Sequence, residues 1–116
     1  SGLKGTVVVV NFWGSWCPPC RWEMPFFEEM WREYSDQGVM FIGIAVPPDT
    51  FVDSIGFAEH VGVTYPMGLD VTGKVLRDFG VTEFPTTFIF DRSGKQVRKF
   101  GVANKGVLRV YIKGQL

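Results

Sequence analysis

The sequence predicts an α/β fold in which helices flank a mixed central sheet. Three observations carry that prediction. Thr6 to Phe12 is a run of β-branched and apolar residues, the composition of a strand covered on both faces. Residues 17–36 place Trp22, Phe26, Phe27, Met30, Trp31 and Tyr34 at three- and four-residue spacing, the period of a helix. Further on, Thr86–Phe90 and Gln96–Phe100 flank Asp91-Arg92-Ser93-Gly94, a tight hairpin signal. Helices between the early strands force parallel crossovers, whereas a hairpin pairs antiparallel, so the sheet is mixed.

The elements follow in order. Trp13-Gly14-Ser15-Trp16 reads as the turn after the first strand. Pro18 and Pro19 suit the first turn of the 17–36 helix, where backbone N–H groups lack intrahelical partners. Glu23, Glu28, Glu29, Arg32 and Glu33 supply its polar positions, Pro25 falls inside it and should kink it, and Gly38 caps its end. Val39 to Val46 is a second buried-type strand. Pro47-Pro48 breaks the chain, and Asp49 or Thr50 caps a helix over roughly 51–61. Val63 to Leu69 is extended, Asp70 to Gly73 is a turn, and Lys74 to Phe79 is one or two helical turns ending at Gly80. Asn104 to Lys113 is a terminal helix despite Gly106.

The 116 residues suit one domain, 1–116, and 46% hydrophobic residues supply a core. Lys+Arg and Asp+Glu both number 12, so the net charge is zero and gives no basic excess for nucleic acid. No apolar run approaches the ~20 residues of a membrane helix. Ser1-Gly2-Leu3-Lys4-Gly5 lacks the apolar core of a signal peptide. The chain begins almost directly on a buried-type strand, so it is expected to be trimmed from a longer precursor whose targeting segment lies upstream.

Cys17 and Cys20 are the two cysteines of the sequence, and they follow a buried strand and open a helix. In that setting a Cys-x-x-Cys spacing reads as a redox pair. A dithiol exchanger needs one exposed, stabilised thiolate and a second thiol that resolves the mixed disulfide. Cys17, at the helix start, has the favourable end of the dipole and is the expected nucleophile. Cys20, one turn on and more buried, is the expected resolving thiol. The competing readings are a static disulfide, two inert thiols or a zinc site. Zinc is poorly supported because only His60 remains as a further Cys/His ligand, and His60 reads as a surface or helix-end residue. No cofactor is expected beyond the redox-active pair itself, and no metal.

The stretch from Val7 through Cys17-Pro18-Pro19-Cys20 to Pro25 resembles the active-site segment of the thioredoxin superfamily. More narrowly it is similar to the TlpA/ResA/CcmG-like branch of extracytoplasmic thiol-disulfide oxidoreductases. The resemblance continues through Val63-Thr64-Tyr65-Pro66, Asp70 and Gly73, Phe79-Gly80-Val81, Phe84-Pro85-Thr86-Thr87-Phe88-Ile89-Phe90-Asp91 and Gly94-Lys95. It implies a thioredoxin-like fold with the branch's insertion around 47–70. Where thioredoxin carries a buried Asp, this chain has Asn11, so that proton route is absent. The resemblance places Glu23, three residues after Cys20, in the role of proton relay and pKa tuning. The competing reading of Glu23 is a solvated helix residue. Pro85 matches the cis-proline that lies against the dithiol, keeps metals off it and presents the Phe84 backbone to an extended substrate. Trp16, Pro18, Pro19 and Phe84 are the expected substrate contacts, with Glu83 near the groove. Trp13 and Trp22 are assigned to core or helix packing.

These features point to an enzyme that reduces disulfides in exported proteins, as relatives do for apocytochrome c during cytochrome c maturation. The alternatives are a general thioredoxin-like reductase or oxidase, and a binding module in which the dithiol is incidental. A peroxidase is weaker, because Gly14, Ser15 and Trp16 precede Cys17 where a peroxiredoxin needs a Thr. The expected partners are a disulfide-bearing protein substrate and a membrane or periplasmic thiol electron donor, with the chain a monomer outside the cytoplasm.

Overall fold

A computed structural model describes residues 5–116. The leader expectation drawn from Ser1–Lys4 lies outside the described residues. Five strands form one sheet: β1 (Val7–Trp13), β2 (Val39–Ala45), β3 (Met67–Leu69), β4 (Thr86–Phe90) and β5 (Gln96–Phe100), in the order β3-β2-β1-β4-β5. Helices α1 (Pro18–Tyr34), α2 (Phe51–Val61), α3 (Lys74–Asp78) and α4 (Lys105–Lys113) complete the described fold.

The apolar β1 run takes the central place because every one of its residues is buried. It pairs parallel with β2, Val10 opposite Ile42, and antiparallel with β4, Val10 opposite Phe88. β2 pairs parallel with β3, and β4 pairs antiparallel with β5. The mixed sheet expected from the crossovers and the hairpin is present.

Alternation along β1 sorts the core into two faces. Val7 and Val9 pack with Phe27 and Met30 of α1 and with Leu108 and Ile112 of α4. Trp13, on the same face, meets Phe57 and Val61 of α2. Val8, Val10 and Phe12 point the other way, into a cluster with Leu76 of α3, Phe79, Val81 and Phe88. Three helices therefore cover one face, and the five-residue α3 serves the other.

Local chemistry sets the helix ends. Cys17 is the N-cap of α1, and Pro18 and Pro19 occupy its first turn. After a short 3₁₀ turn, Ser35–Gln37, Gly38 adopts φ of 80°, which only glycine enters without strain. Thr50 Oγ1 accepts the Asp53 N–H and caps α2; Asn104 Oδ1 accepts the Val107 N–H and caps α4. The buried Asp70 carboxylate accepts the Val75 and Leu76 N–H groups at the start of α3.

Several expectations change. Trp13 ends β1 rather than starting the turn, and α1 begins one residue after Cys17. Only Met67–Leu69 of the 63–69 segment is strand. In the 47–70 segment, α2 and β3 form a parallel β-α-β extension that adds an edge strand next to β2. Glu23 and Glu28, read as polar-face positions, are both buried. Glu28 faces inward because the Thr64 N–H and hydroxyl both donate to its carboxylate, each at 2.7 Å. Trp22, assigned to packing, is 52% exposed and stands edge-on to Phe26 of its own helix.

Candidate active site

The parallel strand β1 ends at Trp13, and the chain turns at once into α1. The Cys17 N–H donates to the Gly14 carbonyl at 3.1 Å and closes the turn. Cys17 is joined to Cys20 by a disulfide with the two Cα atoms 5.3 Å apart. The Cys20 N–H points at Cys17 Sγ, 3.4 Å away. That amide is one of the donors left over at a helix start, and it faces the sulfur that the sequence marks as the expected nucleophile. Cys17 is 4% exposed and Cys20 is 1% exposed. The expected order of exposure holds, but the expected exposed thiol does not. The disulfide draws Cys17 in against Cys20, and both sit in a cluster with Trp13, Met24 and Ala45, flanked by Phe84.

Glu23 lies one helical turn beyond Cys20 and is 0% exposed. Asn11 of β1 donates from Nδ2 to Glu23 Oε1 at 3.1 Å and to Thr87 Oγ1 of β4 at 3.0 Å. The Ala103 N–H donates to Glu23 Oε2 at 3.2 Å. Two segments distant in sequence thus hold one buried carboxyl in place, and Thr87 orients the Asn11 amide. Burial pushes its pKa up to about 7, against the opposing pull of the Ala103 N–H and the Asn11 amide. A carboxyl with that pKa can take and return a proton near neutral pH, which is what a thiol relay requires. The solvated-residue reading of Glu23 is excluded by its burial.

A rim of apolar groups surrounds the pair. Trp16 is 44% exposed and stands edge-on to Phe84 with ring centroids 5.5 Å apart. Pro18 and Pro19 are exposed on the helix start, and Phe84 is half-buried. The Phe84–Pro85 bond is cis, and Pro85 is buried at the start of β4. Glu83 and His60 are exposed, His60 in the last turn of α2.

Two parts of this arrangement carry no signal in the sequence. In the Asn11–Glu23–Ala103 network Glu23 and Ala103 lie 80 positions apart, and nothing in a local pattern links a strand asparagine to a backbone amide after β5. Asp49, a cap candidate for α2, leaves that task to Thr50 and accepts instead from Ser15, 34 residues away, through both its N–H and its hydroxyl. A second cis bond, Pro47–Pro48, immediately precedes it.

Residues 1–100 match the AhpC/TSA family. The chain belongs to that family. Among curated AhpC/TSA-like relatives, the thiol-disulfide oxidoreductase ResA of Bacillus thuringiensis (strain Al Hakam) is 36% identical over 112 residues, covering 96% of this chain and 64% of that protein. ResA of Bacillus subtilis (strain 168) is 36% identical over 98 residues, covering 84% of this chain and 54% of that protein. The chain therefore spans less than two thirds of the length of these relatives. The crystal structure of a thiol:disulfide interchange protein of the thioredoxin family from Chlorobium tepidum TLS matches with a TM-score of 0.89 at 29% identity, covering 98% of this chain and 82% of that one. The fold of this family member is thioredoxin-like, and its relatives include the ResA branch that the Val7–Pro25 segment resembles. No helix among the described residues is long and apolar enough to cross a membrane.

Proposed function

We propose that this chain is a thiol-disulfide oxidoreductase that reduces disulfides in exported proteins and works outside the cytoplasm. The observation that carries the reading is the Cys17–Cys20 disulfide at the start of α1, with a buried carboxyl of near-neutral pKa one turn further on. An incidental dithiol in a binding module has no use for that carboxyl. The paired cysteines also favour exchange over the peroxidase chemistry found among relatives of this fold, since Gly14-Ser15-Trp16 supplies no Thr before Cys17.

In the reduced protein the Cys17 thiolate attacks one sulfur of a partner disulfide. A Cys17–partner disulfide forms, and the released partner thiolate takes a proton. Cys20 then gives up its proton, with Glu23 as the acceptor that passes it on, and attacks Cys17 Sγ. The Cys17–Cys20 disulfide forms and the second partner sulfur leaves. Two electrons pass from the dithiol to the partner, and a thiol donor restores the pair. Trp16, Pro18, Pro19 and the Phe84–Pro85 backbone form the docking rim. The substrate class proposed is the disulfide of a Cys-x-x-Cys-His haem-attachment segment, the class implied by the resemblance to the cytochrome c maturation branch.

Turnover of an oxidised Cys-x-x-Cys-His peptide, compared with insulin, tests the reading. Faster reduction of the peptide is expected. Inactivity on both would refute the reductase. Equilibration with glutathione supplies the potential: a value below about −200 mV is expected, and one near about −120 mV, the range of a strong oxidant, would reverse the direction of flow.

A further inference from the structure

Asp49, in the loop after β2, binds the turn that leads into the disulfide. The carboxylate of Asp49 accepts the Ser15 N–H at Oδ2 and the Ser15 hydroxyl at Oδ1, both at 2.7 Å. It is itself tied down: its Oδ1 accepts the Thr50 N–H at 3.0 Å and its N–H donates to the Val46 carbonyl at 3.0 Å. The Val46 N–H in turn donates to the Trp13 carbonyl at 3.0 Å, so the loop after β2 is bound to the turn after β1 at both ends. Bonds to a carboxylate are shorter and stronger than neutral ones, and two to one residue fix its orientation.

The residue after Ser15 is Trp16. Its indole folds back over Gly14 so closely that a Cβ on Gly14 would overlap the ring. Its other edge meets Phe84, the residue before the cis-proline. Trp16 is 44% exposed, so packing covers only part of it.

We propose that Asp49 is a positioning residue for partner docking. It holds Ser15 so that Trp16 stands against Phe84 and the aromatic wall beside the disulfide is formed before a partner arrives. The inference rests on the exchanger reading above. Its effect falls on binding, because an unheld loop must be ordered when the partner docks.

The test uses the whole chain and an oxidised Cys-x-x-Cys-His peptide as probe. Asp49→Ala is expected to raise KM about tenfold while kcat changes less than threefold. Asp49→Asn offers an oxygen to the Ser15 N–H and an amide N–H to its hydroxyl but loses the Thr50 N–H bond, so its KM should fall between those of wild type and Asp49→Ala. The indole N–H resonance of Trp16, assigned as the one lost in Trp16→Phe, should move in Asp49→Ala and move less in Asp49→Asn. An unchanged KM in Asp49→Ala, a loss confined to kcat, or an Asn variant no better than Ala would overturn the proposal. Where thermal melting shows that Asp49→Ala does not fold, Ser15→Ala takes its place. It removes the hydroxyl bond alone, with about a threefold rise in KM expected and no rise overturning the proposal. A wild-type chain inactive on every disulfide would refute the exchanger reading, and the Trp16 resonance would then decide Asp49 by itself.

Discussion

Glu23 should make the oxidised protein less stable as pH rises from 4.5 to about 7, and Glu23→Gln should abolish that loss. The sign follows from the two pKa values. In the unfolded chain the carboxyl has its ordinary value of 4.5, and in the folded protein burial lifts it to about 7. Below 4.5 both states hold the proton and folding is indifferent to it. Between 4.5 and 7 the unfolded chain has released the proton while the folded chain keeps it. The folded state then binds more protons, so stability falls with rising pH. Above 7 the loss is complete. The gap corresponds to about 3 kcal/mol at 1.36 kcal/mol per unit of pH, a large share of a typical net stability of about 5–15 kcal/mol. Urea unfolding of wild type and Glu23→Gln, both with the disulfide intact so that no thiol titrates, measures it. The difference between them cancels every other group. It should move by about 3 kcal/mol in favour of the variant between pH 4 and pH 8. A difference that moves by less than about 1 kcal/mol, or in the opposite direction, would refute the account of a carboxyl destabilised by burial.

Three further outcomes are expected. Asn11→Ala removes a donor that opposes the rise in the Glu23 pKa and strands Thr87. The same urea series should show the pH window displaced to higher pH and a stability loss of about 1–3 kcal/mol; an unmoved window would separate Asn11 from the site. Cys20→Ser should accumulate a mixed disulfide on Cys17 with an oxidised substrate, visible on a non-reducing gel, and trapping by Cys17→Ser alone would exchange the two roles. Phe27, fully buried between β1, α1 and α4, should cost about 3–5 kcal/mol as Phe27→Ala in equilibrium unfolding, and a loss below about 1 kcal/mol would contradict its place in the core.

The sequence by itself determined the elements and the reacting pair. An unbroken β-branched run can only be a strand covered on both faces, and β1 is one. Two prolines after Cys17, ahead of a helix-period pattern, suit that helix's first turn, and α1 starts there. Both are local facts of period and backbone, legible because each is decided within a few residues. The hairpin between β4 and β5 is equally local. The family resemblance added the cis bond before Pro85, which composition and spacing do not reveal. Tertiary structure alone decided the electrostatics and the shape of the approach. Glu23 reads as one of several helix glutamates, and its burial depends on the packing of β1, β4 and the segment before α4 around it. Glu28 turns inward for Thr64, and Trp22 turns outward, though periodicity assigns each the opposite side. Asp49 reaches Ser15 only because the parallel pairing of β1 and β2 brings their following loops to the same end of the sheet. Such contacts depend on which surfaces meet once the sheet has closed, and a local pattern holds no record of them.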